Sequence, residues 1–158
     1  MLLLSTSVDI YKNNGAIFKA SAALEREGIE HTATMTLPEE LCAGCVRCVG
    51  RLPYDEVLCY YQRATLVFPS YIETFGYPLA EARKVGTVVL AADTPFAREL
   101  LEGYENGYFF DPFRPGELAE LMKKVITGDI TRKEVCDEDP PESDSWLDVL
   151  ELVKSQGL

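Results

Sequence analysis

Long apolar runs are missing from this 158-residue chain. Residues 1–4 and 88–92 are its short apolar stretches, and a membrane helix needs about 20 such residues. The first of them is too short for the core of a signal peptide, and no basic residue precedes it. A cytoplasmic protein is expected, with no membrane span. Basic residues are also scarce: 15 Lys and Arg against 26 Asp and Glu leave a formal net charge of −11, a poor match to nucleic acid or an anionic membrane surface. Histidine is nearly absent, with His31 alone. That disfavours a Ser-His-Asp hydrolase, as does the lack of a G-x-S-x-G turn. Neither G-x-G-x-x-G nor G-x4-G-K-[ST] occurs, so the commonest nucleotide-binding loops are excluded.

Cysteine is present but oddly counted. Five residues argue against a complete disulfide set. Cys42, Cys45 and Cys48 form C-x2-C-x2-C, which superficially matches iron–sulfur or zinc ligation. A structural metal site needs four ligands. Cys59, Cys136 and His31 are all remote in sequence, so reduced cysteines packed as small apolar residues are expected, with no metal. His31 stands at the start of an expected strand and is read as structural.

Strands and helices alternate along the chain. Short apolar strands are expected at residues 2–4, 29–35, 46–49, 65–68, 87–91 and 108–110. Between them, Ile17, Ala20, Ser21 and Leu24 mark the buried face of one helix, which Gly28 ends. Tyr54, Val57, Leu58 and Tyr61 mark the inner face of a second, opened by Pro53. Further helices are expected over 78–85, from Thr94-Pro95 to Gly103, and around Leu118, Leu121, Met122 and Val125 up to Gly128. This order predicts an α/β fold: a doubly wound, Rossmann-like parallel sheet of about six strands with helices on both faces. Residues 1–128 form the expected domain. Residues 129–145 are read as an acidic linker holding Asp137, Glu138, Asp139, Glu142 and Asp144, and 146–158 as an amphipathic C-terminal helix with Trp146, Leu147, Val149, Leu150 and Val153 inward.

Ligands of such sheets bind where strand ends meet helix starts. The turn after strand one holds Lys12; that after strand four holds Ser70, Glu73, Thr74, Phe75 and Gly76; that after strand five holds Asp93 and Thr94. Glu73 and Glu81 are eight residues apart, with Gly76 and Pro78 between them. Gly76 permits close approach of a ligand to the backbone. Pro78 suits a helix's first turn, so amides from Gly76 to Leu79 are expected to face the cleft and to suit phosphate oxygens. Two carboxylates flanking an anion site make chemical sense for a ligand that also carries hydroxyls.

These residues, taken in order, resemble glycosyltransferase family 4, the retaining glycosyltransferases of the GT-B fold. The likeness is to their C-terminal, donor-binding domain and covers roughly residues 2–128. It rests on Lys12-Asn13, Val49-Gly50-Arg51-Leu52-Pro53, Phe68-Pro69-Ser70, the E-x7-E pair Glu73 and Glu81, Gly86-Thr87-Val88-Val89, Glu99-Leu100-Leu101 and Asn106-Gly107-Tyr108. The resemblance implies that Glu81 holds the ribose hydroxyls of a nucleotide-diphosphate sugar and that Glu73 lies near the transferred sugar. Lys12 would offset the departing diphosphate. The backbone of Phe75, Gly76, Tyr77 and Leu79 would cradle the donor, with Ser70 and Thr74 beside it and Leu52 a weaker candidate for the base pocket. The side chains of Phe75 and Tyr77 are expected to pack.

It further implies metal-independent hexosyl transfer with no cofactor, and an acceptor-binding domain that this chain does not include. The motif leaves donor base and sugar open. A non-catalytic nucleotide-sugar-binding or interaction module is the alternative, since residues 4–7 lack the arginine that often accompanies the lysine. A receiver-like signalling domain is disfavoured, because Gly50-Arg51 stands where a phosphorylatable aspartate would be required.

Overall fold

The computed structural model describes residues 10–41 and 44–134 together with the backbone of Leu2–Leu3. Its strands are β1 (Leu2–Leu3), β2 (Ala33–Met35), β3 (Val46–Cys48), β4 (Leu66–Phe68), β5 (Val89–Ala92) and β6 (Gly107–Phe110). Its α-helices are α1 (Asn14–Arg26), α2 (Tyr54–Arg63), α3 (Tyr77–Val85), α4 (Pro95–Leu100) and α5 (Pro115–Thr127). The strands form one parallel sheet in the order β3-β2-β1-β4-β5-β6. The chain winds outward from β1 to β3, crosses back, and winds outward again from β4 to β6. The order reverses between β1 and β4, the switch point at which sheets of this kind have a crevice at their carboxyl edge.

The two-residue period of the strands divides the core. Val67, Leu90 and Ala92 point to one face, where Ala16, Ile17, Ala20 and Leu24 of α1 and Leu118, Ala119 and Met122 of α5 cover them. Leu66, Phe68, Val89 and Ala91 point to the other, beneath Tyr61 of α2, Leu79 and Ala82 of α3 and Ala97 of α4. Both faces are buried, which is why the strands read as apolar runs rather than as alternating patterns.

Three expectations change. The second strand is short because the preceding residues serve α1 instead. The amide of Ile29 bonds the Leu24 carbonyl and that of Gly28 bonds the Glu25 carbonyl, with Gly28 at φ 73°, a left-handed helix stop. Tyr54 does not join the inner face of α2; it is 60% exposed, and Tyr61 is the buried residue of that helix. The body also extends beyond Gly128. Ile130 is buried in the core beside α5, and Arg132 bonds the carbonyl of Gln62 at 2.5 Å and that of Val85. Fully buried Asn106 donates to the Lys133 carbonyl at 2.9 Å and accepts from its amide at 2.8 Å. The first residues assigned to the linker are therefore part of the domain. The rest of that segment and the helix expected over 146–158 lie outside the described residues.

Cys48 is buried in the core, Cys45 is half-buried and Cys59 is exposed, while Cys42 and Cys136 lie outside the described residues. The Cys45 amide donates to Glu25 at 2.7 Å, and the same carboxylate pushes the Cys45 thiol pKa up, mainly through a hydrogen bond. That disfavours the thiolate a metal would need. Among the described residues no group of three or more His, Cys, Asp or Glu could hold a metal ion, and no helix is long and apolar enough to cross a membrane.

Asn106 also donates to the Gly86 carbonyl at 3.1 Å. Asn106→Ala removes three hydrogen bonds, those to the Gly86 carbonyl and to the carbonyl and amide of Lys133. The expected loss of stability is about 2–4 kcal/mol, read as a lower urea midpoint, and trypsin should gain access to the Arg132 and Lys133 bonds.

Candidate functional site

The crevice is built by three connections that leave the sheet's carboxyl edge. After β1, residues Ile10–Lys12 form a single 3-10 turn, and Asn13, left-handed at φ 50°, feeds α1. After β4 come Pro69 to Gly76; after β6 come Asp111 to Arg114. The connections are laced together. The Tyr71 amide donates to the Tyr11 carbonyl at 2.8 Å, Asn13 donates to the Pro112 carbonyl at 3.1 Å, and the rings of Tyr71 and Phe113 stack at 5.3 Å.

This lacing brings Lys12 and Glu73 together from 61 residues apart: Nζ lies 2.5 Å from Oε1. Both side chains are largely sheltered, at 22% and 15% exposure. Partial exclusion of solvent strengthens their attraction beyond that of a fully exposed pair, and each neutralises the other.

Gly76 turns the chain from this loop into α3. Its φ of 78° suits glycine, and a Cβ there would lie 2.9 Å from Cδ1 of Leu100. Pro78 occupies the first turn of α3. The amide of Leu79 bonds the Gly76 carbonyl at 2.9 Å and the Leu79 side chain is wholly buried. Leu79 thus offers no amide to a ligand, contrary to expectation. The amides of Gly76 and Tyr77 remain, at positions that have no acceptor inside a helix. Ser70 is buried at the end of β4, and Thr74 is exposed on the loop. The side chains of Phe75 and Tyr77 do not pack into the body as expected. They are 54% and 67% exposed, and their ring centroids lie 4.5 Å apart. The loop is too tightly turned at Gly76 to direct them inward, so they shield each other at the rim. Ile72, 68% exposed, stands on the same loop.

Glu81 lies about one turn into α3 and is half-buried. Two tyrosines of α2 attend it, and both were read from the sequence only as packing residues. The Tyr61 hydroxyl donates to Oε2 at 3.0 Å. The Tyr54 phenol pKa is raised, first by the Glu81 charge and then by burial and hydrogen bonding to the same carboxylate. A signal was available for Tyr61: a tyrosine at a buried position needs a partner for its hydroxyl. Leu52 is half-buried on the β3–α2 connection at the same edge of the sheet. After β5, Asp93 is held by Arg98 through two bonds of 2.7 and 2.8 Å, which keep its pKa low. Thr94 is buried at the start of α4.

A doubly wound domain with a cation, two carboxylates and a helix N-terminus at its switch point is suited to a ligand that is both anionic and hydroxylated. The profile of the family described as Glycosyl transferases group 1 matches residues 39–138, and the chain belongs to that family. It is 33% identical over 107 residues to a D-inositol 3-phosphate glycosyltransferase of Corynebacterium jeikeium, covering 66% of this chain and 26% of that protein. It is 27% identical over 110 residues to the serotype-specific mannosyltransferase WbdA of Escherichia coli, covering 69% and 13%. The chain therefore spans about a quarter or less of the length of these relatives. The fold is shared with the sucrose-phosphate synthase of Thermosynechococcus elongatus, with a TM-score of 0.65 and 20% identity over 80% of this chain and 36% of that one. TarM shares it with a TM-score of 0.60 and 16% identity, over 82% and 28%.

Burial, the Glu81 charge and the hydrogen bond together push the Tyr61 phenol pKa far above the usual phenol range. Above about pH 10 the unfolded chain loses this proton while the folded chain keeps it. Stability contributed by Tyr61 is thus fully present below that pH and falls as pH rises. Urea unfolding at pH 8 and at higher pH should show a decline that Tyr61→Phe makes shallower.

Proposed function

We propose that this chain is the donor-binding half of a retaining glycosyltransferase, taking a nucleotide-diphosphate sugar for transfer to an acceptor hydroxyl. The observation that carries this reading is the Lys12–Glu73 pair facing the start of α3. A diphosphate entering the crevice exchanges places with Glu73 as the partner of Lys12. Its oxygens gain the ammonium and the amides of Gly76 and Tyr77, reinforced by the dipole of α3. Glu73, released, accepts a hydroxyl of the transferred sugar. Glu81 accepts the ribose diol, and Leu52 lies toward the base. Ser70 and Thr74 add polar groups behind and beside the phosphates.

Transfer breaks the bond between the anomeric carbon and the diphosphate oxygen, forms a bond to the acceptor oxygen, and releases the acceptor's proton. Negative charge grows on the leaving diphosphate, where Lys12 and the two amides stand preorganised to stabilise it. On this reading no metal or other cofactor takes part. The likeness to a mannosyltransferase favours a hexosyl donor. The crevice supplies one wall of the reaction space, so the acceptor is held by a further domain. Holding acceptor against donor is worth roughly 7–11 kcal/mol of the barrier, and the 158-residue chain is expected to bind donor without turning it over. A radiolabelled-donor assay with mixed acceptors checks this; robust glycoside formation by the chain alone would contradict it.

Titration calorimetry against UDP, GDP and ADP tests the donor site directly. Binding of at least one is expected, and Glu81→Ala should weaken it by about 1.5–3 kcal/mol, the worth of a charge-assisted hydrogen bond. Heat from none of the three would refute the reading.

Glu73→Gln should do the opposite for a nucleoside diphosphate lacking sugar. It frees Lys12 and removes a carboxylate from beside the phosphates, tightening binding by roughly 1 kcal/mol. A weaker complex would show that the pair does not exchange in this way.

A further inference from the structure

Glu81 is useful for a diol only if its carboxylate holds one orientation. A glutamate on a helix has three rotatable bonds, and one left free would surrender much of its hydrogen-bond energy to ordering. The geometry points to α2 as the element that removes this freedom: we propose that Tyr61 is a positioning residue that clamps Glu81. The inference rests on the donor-site reading above.

Tyr61 is suited to this by its own fixation. It is 1% exposed and packed among Leu66, Leu79 and Ala82. Its carbonyl accepts a hydrogen bond of 2.5 Å from the hydroxyl of fully buried Thr87, and the Thr87 carbonyl accepts one of 2.6 Å from the Tyr104 phenol. A chain of buried polar contacts thus runs from Tyr104 through Thr87 to Tyr61 and ends at Oε2 of Glu81. The clamp leaves capacity for a ligand. A carboxylate offers about four acceptor positions; the Tyr61 phenol occupies one, and a vicinal diol needs two. Because the Tyr61 phenol keeps its proton well above neutral pH, it acts as a donor to Glu81 and does not compete with it for the ribose hydroxyls.

The test compares the full chain with Tyr61→Phe, Thr87→Val and Glu81→Ala. The probes are whichever of UDP, GDP or ADP binds and the 2′,3′-dideoxy form of the same nucleotide. The readout is the ratio of the two dissociation constants, since a general loss of packing weakens both probes alike and leaves the ratio unmoved. Tyr61→Phe is expected to lower the preference for ribose by roughly fivefold to tenfold with affinity for the dideoxy form unchanged. Thr87→Val, which removes the bond that fixes the Tyr61 carbonyl, should lower it by a smaller factor and carries the test if Tyr61→Phe proves unstable. A ratio held within about twofold by both variants, while Glu81→Ala abolishes the preference, would overturn the clamp and leave the Glu81 assignment standing. No ribose preference in the unaltered chain would remove the Glu81 assignment, and the clamp with it.

Discussion

The Lys12–Glu73 contact depends on the reversal of strand order between β1 and β4. Two loops that leave adjacent parallel strands toward opposite faces would otherwise carry their polar residues apart. Here the Tyr71–Tyr11 backbone bond and the Tyr71–Phe113 stack draw the loops back together, and a cation and a carboxylate meet in a sheltered place. The pair holds together two groups of opposite sign, each suited to a different part of a phosphorylated, hydroxylated ligand.

Beside this pair the α3 N-terminus is shaped by steric constraint more than by charge. Gly76 sits where a Cβ would strike Leu100, in a backbone conformation suited to glycine. The tight turn consumes the Leu79 amide and buries its side chain, leaving the two preceding amides for a ligand. It also explains the exposed Phe75 and Tyr77, which have no route into a core that Leu79 and Ala82 already fill. The aromatic rim and the sheltered ion pair are two results of the same turn.

Much of this was legible in the residue pattern, and what was not has identifiable causes. The face of α1 was readable because helical spacing and burial coincide at Ile17, Ala20, Ser21 and Leu24. Glu73, Glu81, Gly76 and Lys12 stood out because each lies at a strand-to-helix turn of a fold whose ligands bind there. Tyr54 and Tyr61 were readable as one face of α2, but periodicity treats a phenol as an apolar residue and says nothing of where its hydroxyl goes. Phe75 and Tyr77 looked like packing residues because aromatic rings usually are; their exposure follows from the turn at Gly76 and from a core that Leu79 and Ala82 already fill. The end of the domain was misplaced for a similar reason. Apart from Ile130, residues 129–133 are polar and look like linker, yet Asn106 and the α2 and α3 carbonyls bind them through contacts that no local pattern reveals.

The central claim is that a nucleoside diphosphate occupies the crevice between the β1 and β4 loops. Amide chemical-shift mapping of the 15N-labelled chain during titration with UDP, GDP and ADP tests it most directly. The account predicts that, for the nucleotide that binds, the largest shifts fall at Lys12, Glu73, Gly76, Tyr77 and Glu81, with little change at the opposite edge of the sheet around His31 and Cys45. Shifts concentrated at that opposite edge, or none with any of the three, would contradict it.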